Sequence, residues 1–285
     1  MNDQPLAQSF SSNERVGGGA LVERIAYRSC PLCESVDIPV LVKADCSRHP
    51  LYKAPLSSVM QWHRCDTCKH VFTSGYFTPE ALSIVFGGTH ENQRVGHDFE
   101  RQRHVSGRMV QQVARHVPDG DWLDVGFGNG SLIFTADEFG FTAVGIDLRV
   151  DNVEGLKRAG FEAHCVDMTE LDMPGRFSVI SMADVLEHIP FPKEALSAAR
   201  RLLRPGGVLF LSMPNMGAFA WRALDSARAN PYWGELEHYH NFTRDRLYLL
   251  LEEHGFTPRE YGISERYRVC MEVIAMRNHD RESDS

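Results

Sequence analysis

The sequence predicts an α/β fold: a doubly wound, seven-stranded, mainly parallel sheet with a small cysteine-bearing module ahead of it. Three observations carry this. From about residue 120 to 277, short apolar runs rich in strand formers alternate with stretches of helical spacing, the pattern of a parallel sheet covered on both faces. Phe139-Gly140-Phe141, Ala159-Gly160-Phe161 and His254-Gly255-Phe256 each put a glycine where a helix ends in a left-handed turn, followed by an aromatic that opens a strand. Third, two Cys-x-x-Cys pairs, Cys30/Cys33 and Cys65/Cys68, stand thirty-one residues apart.

Residues 1–26, rich in Ser, Gly, Asn and Gln with a Gly17-Gly18-Gly19 run, have no sustained period and are expected to be disordered. Residues 27–75 form the cysteine module. Two thiolate knuckles close a tetrahedral Zn2+ site, which gives a segment too small for its own core a reason to fold. Cys46, His49, His63 and His70 lie nearby, but Cys30, Cys33, Cys65 and Cys68 are the simplest ligand set. A closed four-ligand site makes the zinc structural. Residues 76–120 are a helical linker: a short helix from Thr78-Pro79-Glu80 to Phe86 ended by Gly87-Gly88, then an amphipathic helix from about Asp98 to His116 with Val105, Met109, Val110 and Val113 on one face.

The main domain spans 121–277. Strands are expected at Trp122–Gly126, Thr142–Asp147, Phe161–Val166, Phe177–Ala183, Val208–Met213, Pro258–Ser264 and Val269–Met276. Helices are expected at Ser131–Phe139, Asn152–Ala159, Pro192–Leu203 and from a Thr243 cap to His254. Residues 278–285 read as a flexible tail.

The organising stretch is Trp122-Leu123-Asp124-Val125-Gly126-Phe127-Gly128-Asn129-Gly130-Ser131. It reads as a strand, a tight glycine turn and a helix start, where free N–H groups and the positive dipole end favour a nucleotide-like ligand. The second strand ends at Asp147, where a carboxylate can hold two ribose hydroxyls. Together these features resemble motif I and the acidic second strand of class I S-adenosylmethionine-dependent methyltransferases, a Rossmann-like family, here behind a zinc-ribbon-like module. Ala183-Asp184-Val185-Leu186-Glu187-His188 is similar to that family's motif IV, and Arg204-Pro205-Gly206-Gly207 fits its fifth strand. The resemblance implies that the last strand is inserted antiparallel. It also implies an S-adenosyl-L-methionine site at Gly126, Gly128, Gly130, Asp147, Asp167, Met168 and Asp184, with Asp124 holding the glycine loop through backbone N–H groups. Arg101 or Arg103 could meet the cofactor carboxylate, although solvated charges fit their helix face better.

Methyl transfer from a sulfonium is an in-line displacement, and a hydroxyl or amine acceptor also needs a group to take its proton. The long connection after the fifth strand carries Glu235-Leu236-Glu237-His238-Tyr239-His240. His238 or His240 is the expected base or acceptor-positioning residue, with His188 third. Ser264–Arg268 is expected to close the same pocket.

The net charge of -8 disfavours a large phosphate-tracking surface and with it nucleic acid. The expected acceptor is a small molecule, and the similarity to zinc-bearing sugar methyltransferases implies a sugar-linked one or a glycan precursor. A ribosomal RNA guanine methyltransferase family also opens on Cys-Pro-Leu-Cys, but its second knuckle differs from Cys65-Asp66-Thr67-Cys68. A non-catalytic cofactor-binding scaffold and a dehydrogenase are the remaining readings; Ser131, where a dinucleotide fingerprint has glycine or alanine, argues against the latter. With no eighteen-residue apolar run and no basic-then-apolar leader, the expected location is cytoplasmic, away from membranes.

Overall fold

The structure, a computed structural model, describes residues 23–86 and 91–279. The expectations for residues 1–22, Gly87-Gly88 and 280–285 lie outside the described residues. The described chain opens with β1 (Arg24–Ala26), β2 (Val40–Asp45), β3 (Val59–Arg64), β4 (Val71–Thr73) and β5 (Gly75–Phe77). β1 pairs antiparallel with β5, which corrects the expectation that residues up to 26 are disordered. Helix α1 (Pro79–Val85) starts where Thr78 Oγ1 accepts from Ala81 N–H and Pro79 occupies the first turn. Helix α2 (Phe99–Ala114) buries Met109, Val110 and Val113, the face its spacing predicts.

The main domain follows as β6 (Gly120–Val125), α3 (Ser131–Glu138), β7 (Phe141–Ile146), α4 (Val150–Arg158), β8 (Glu162–His164), β9 (Phe177–Ala183), α5 (Pro192–Leu202), β10 (Leu203–Pro214), α6 (Phe219–Ser226), β11 (His240–Asn241), α7 (Arg244–Glu253), β12 (Phe256–Ile263) and β13 (Cys270–Arg277). Seven of these strands make one sheet in the order β12-β13-β10-β9-β6-β7-β8. β10, β9, β6, β7 and β8 run parallel, and β13 lies antiparallel between β10 and β12. β9 is buried up to Met182 and apolar apart from Ser178 and Ser181, as a strand with both faces covered should be. The three helix-ending glycines have φ of 94, 93 and 77° at Gly140, Gly160 and Gly255. β10 starts earlier than its apolar run, at Leu203, and its register shifts between Leu203 and Val208 to absorb Arg204–Gly207.

Strands β1–β5, helix α6 and strand β11 have no counterpart in the sequence analysis, and β11 is the one that bears on the site. β11 pairs antiparallel with β4, His240 opposite Phe72 and Asn241 opposite Val71. The order of the small sheet is therefore β11-β4-β3-β2, and the connection after β10 is its edge strand. Leu32 and Phe72 of the cysteine module share one buried cluster with Leu186, Phe242 and Leu247 of the main domain. The module is thus built onto the large sheet's own core.

Candidate active site

The glycine loop follows from how β6 ends. Trp122, Leu123 and Val125 are buried, so the strand is fixed up to Val125 and the chain must turn sharply to begin α3 at Ser131. Gly126, Gly128 and Gly130 take φ of +64, +54 and +78°, a region that costs a residue bearing a Cβ roughly 1–2 kcal/mol. Gly126 N–H donates to the Ile146 carbonyl at 2.8 Å and Gly130 N–H to that of Phe127 at 2.9 Å. A Cβ on Gly126 would stand 3.1 Å from Val185, whereas one on Gly128 would have as its nearest neighbour the Gly126 carbonyl oxygen, at 4.0 Å, and would otherwise enter open space. That space is a cleft of about 490 Å³ at the carboxyl ends of β6, β9 and β10, where the strand order reverses.

Four acids of the sequence reading are distributed unevenly around it. Asp124 lines the cleft, is 3% exposed and accepts from Ser181 Oγ at 2.6 Å. Burial, only partly offset by that hydrogen bond and by the Arg266 charge, pushes its carboxyl up to about 7. The hydrogen bond ties it to β9, and the N–H groups of Gly126, Gly130 and Ser131 bond to Ile146 O, Phe127 O and Asn129 Oδ1, so its expected role of holding the loop through these groups is corrected. Asp184, with φ of +57°, also lines the cleft; it accepts from Ser212 Oγ at 2.9 Å and faces Arg266 Nη1 at 3.4 Å. Asp147 ends β7 as expected, yet Arg149 engages both its oxygens, at 2.8 and 2.6 Å. A ligand hydroxyl reaching Asp147 therefore meets a guanidinium already there. Of the predicted cofactor-site residues, Gly130, Asp147, Asp167 and Met168 do not line the cleft. Asp167 Oδ1 instead caps its own turn, accepting from Thr169 N–H at 2.8 Å and Thr169 Oγ1 at 2.6 Å, and Met168 is buried in the core.

The histidines separate sharply. His188 lines the cleft on a 3-10 turn, Leu186–His188. Its Nδ1–H donates to the Glu237 carbonyl at 3.1 Å, which leaves Nε2 with the lone pair. His238 stands edge-on to it, ring centroids 4.6 Å apart, also on the cleft wall. Burial, reinforced by His188 and His49, holds the His238 pKa well below the usual range, and its buried Nδ1 has no partner among the described residues. Glu187 is 1% exposed with neither carboxylate oxygen partnered among the described residues; burial, then the Asp184 charge, pushes its pKa well up. Ligand atoms of Glu187, His188 and His238 lie within 4.8 Å of one another, a spacing that fits either proton exchange or a divalent cation.

His240 is not in the cleft. It is 1% exposed in β11, with Nε2–H donating to the Ile189 carbonyl at 3.0 Å and Nδ1 facing His70 Nε2 at 3.0 Å. Burial lowers its pKa to about 4. Its candidacy as base is corrected: His238 sits in a turn closed by its own N–H to the Glu235 carbonyl, and the chain then enters β11, so the two rings reach different surroundings. Arg103 is paired on the surface with Glu138, and neither Arg101 nor Arg103 lines the cleft. Arg266 and Tyr267 do line it, as expected for the segment between the last strands.

Sequence reasoning missed Glu187, although it stands in the quoted 183–188 stretch, and missed Gln93, His97 and Gln102, which line the cleft beside the loop. A carboxylate inside an apolar turn is the signal that could have found the first. Gln93 and His97 belong to a stretch without period, and Gln102 is a polar position of α2, of which only the apolar face was read.

The four cysteines come together. Cys30 Sγ lies 3.5 Å from Cys68 Sγ and Cys33 Sγ 3.4 Å from Cys65 Sγ, with all four within 4.8 Å. Both knuckles close alike: Glu34 N–H bonds the Cys30 carbonyl and Lys69 N–H that of Cys65, with φ of 64 and 62° at Glu34 and Lys69. The competing residues are engaged elsewhere: His49 with Glu235, His63 with Ile38, His70 with His240, and Cys46 with Ser57. The thiol set fits a tetrahedral soft-ligand metal.

Comparison with known proteins gives a consistent picture. A methyltransferase-domain family model matches residues 99–261, more than half of the chain. The ubiquinone biosynthesis O-methyltransferase of Pseudomonas paraeruginosa is 32% identical over 107 residues, 35% of this chain and 46% of that protein. The chain thus spans less than half the length of this curated relative. Among solved structures, a Burkholderia thailandensis 1,6-didemethyltoxoflavin-N1-methyltransferase with bound S-adenosylhomocysteine superposes with a TM-score of 0.55 at 18% identity, covering 76% of this chain and 99% of that one. Magnesium protoporphyrin IX methyltransferase from Synechocystis PCC 6803, also with S-adenosylhomocysteine, gives 0.51 at 19% identity over 62% of this chain and 84% of that one. At these identities the likeness is one of fold. No helix among the described residues is long and apolar enough to cross a membrane.

Proposed function

Because the chain belongs to the methyltransferase-domain family, we propose that it transfers a methyl group from S-adenosylmethionine to a small-molecule acceptor. The observation that carries this reading is the glycine loop at the strand-order reversal, with the Cβ direction of Gly128 opening into the cleft. S-Adenosylmethionine supplies an electrophilic methyl carbon on a sulfonium. Gly126, Gly128 and the start of α3 offer it backbone to lie against, Asp147 offers its carboxylate to the ribose hydroxyls once Arg149 yields, and Asp124 offers negative charge towards the cationic end. Nε2 of His188, its tautomer fixed by Glu237, takes the acceptor's proton. His238 beside it stays neutral because it is buried. Tyr232, Arg266 and Tyr267 line the outer cleft and keep water from the reacting centre.

A sugar-linked metabolite or glycan precursor is the acceptor class we favour, with an oxygen acceptor of ubiquinone biosynthesis, after the relatives' name, the other to test. A cleft bordered by Asp98, Asp184, Glu235 and Glu237 is a poor track for phosphates, which weighs against RNA. The four cysteines hold one structural zinc. The reading is tested by calorimetric titration of S-adenosylhomocysteine. Wild type should bind, and Gly128→Val, which places a branched side chain in both the cleft and a left-handed φ, should weaken binding at least about tenfold with the fold intact. No binding by wild type would overturn the reading.

A further inference from the structure

His188 sits between two anchors. The carbonyl before it, Glu187 O, accepts from Tyr239 N–H at 2.8 Å. The carbonyl after it, Ile189 O, accepts from His240 Nε2–H at 3.0 Å, with Pro190 O a second acceptor at 3.3 Å. His188 itself donates to Glu237 O. Residues 237–240 therefore grip residues 187–190 at three successive points, and His240 makes the one of these bonds to which residues 237–240 contribute a side chain.

Behind His240 the grip continues into the cysteine module. With Nε2 donating to a carbonyl, His240 Nδ1 must accept, so His70 Nε2–H is the donor in the 3.0 Å contact between the rings. The His70 carbonyl in turn accepts from Cys65 N–H at 2.9 Å. The surrounding rings, Phe72 and Phe242, stack on or tilt against the pair. An aromatic anchor there could be a third phenylalanine. The chain instead places two imidazoles in a dry site and commits both nitrogens of His240 to hydrogen bonds, an arrangement whose loss leaves buried polar groups unpaired.

We propose that His240 is a positioning residue that acts through His188, linking the cysteine module to the turn that presents Nε2 of His188 to the cleft. The inference rests on the methyl-transfer reading only for its consequence in turnover; its geometry can be tested without an acceptor. When the His240–Ile189 bond is removed, the 237–240 segment can slip along the turn, the His188–Glu237 bond loosens, and the His188 ring loses its single tautomer.

The test uses the full chain with 15N-labelled histidine and S-adenosylhomocysteine present, the His188 resonances being assigned by their loss in His188→Gln. Wild type should show His188 as the Nδ1–H tautomer alone. His240→Phe, which keeps an aromatic ring but no polar atom, should show His188 exchanging between tautomers while S-adenosylhomocysteine affinity stays within about threefold. His240→Gln, whose amide can still donate to Ile189 O, should restore the single tautomer. On an acceptor once found, His240→Phe should lower kcat on the order of a hundredfold, the scale of a small misplacement of a reacting group, and His240→Gln should recover most of it. An unchanged His188 tautomer in folded His240→Phe overturns the proposal, as does failure of His240→Gln to differ from it. Absence of S-adenosylhomocysteine binding in wild type would instead count against the methyl-transfer reading, leaving the tautomer result to judge the linkage. Should His240→Phe not fold, the His240→Gln and wild-type spectra are compared with His70→Phe, which breaks the same relay one bond earlier and should broaden the His188 tautomer signal.

Discussion

Asp124 shows how one residue's surroundings set a measurable property. Its carboxyl is buried against Ser181 and pushed up to about 7. Below that pH it is neutral, and above it carries the charge that a sulfonium favours. S-Adenosylmethionine affinity should therefore rise between pH 6 and 8 by up to about tenfold, whereas S-adenosylhomocysteine, which lacks the sulfonium, should change less. Calorimetry at three pH values reads this, and Asp124→Asn should flatten the difference. The presence of Asp124, Gly126, Gly128 and Asp184 at the cleft was legible because chain order alone puts them at strand ends. That Arg149 covers Asp147, that Asp167 caps its own turn and that Glu187 is left unpartnered was not legible. Those outcomes depend on which side chains fold over a strand end, and a two-residue turn carries no period to announce it.

At the scale of elements, the succession of strands and most strand limits follow from hydrophobic spacing, the antiparallel last strand followed from the family resemblance, and β9 falls on its predicted residues, 177–183. β11 escapes such reasoning, since two residues cannot display a period and their partner β4 lies some 170 residues earlier. This clasp should respond to acid. The folded pKa of His240 is about 4, below the unfolded value near 6.5. Its contribution is thus fully present above about pH 6.5 and is lost as pH falls towards 4. Compared by urea unfolding, wild type should exceed His240→Phe in stability by about 2 kcal/mol at pH 7.5. That margin should shrink by on the order of 3 kcal/mol by pH 4, because only wild type has this imidazole to protonate on unfolding. A margin independent of pH would mean that His240 is not held neutral in the folded chain.

Across the whole molecule, the cysteine module and the main domain form one body: a shared sheet through β11 and β4, a shared core through Leu32, Phe72 and Phe242, and the His49–Glu235 contact beside the cleft. The spacing of the four cysteines announced a metal site, but no sequence feature says which face of the sheet it covers. Elemental analysis of purified protein should find zinc close to one per chain. Cys65→Ser or exhaustive chelation should lower the melting temperature by several degrees, on the order of 2–4 °C per kcal/mol lost at this size. It should also abolish turnover while leaving S-adenosylhomocysteine affinity within about tenfold, because the glycine loop belongs to the main sheet and the acceptor-side connection to the module. Equal loss of cofactor binding and turnover would mean that the module supports the whole domain and not its acceptor side.

Methyl transfer to a small molecule is read by following label from methyl-labelled S-adenosylmethionine into two pools, a small-metabolite extract enriched in nucleotide-sugars and quinone precursors, and RNA from cells lacking the protein. Label should enter the small-metabolite pool, disappear with Gly128→Val and fall with His188→Gln. Label in the RNA pool, or in neither pool despite cofactor binding, would contradict the account.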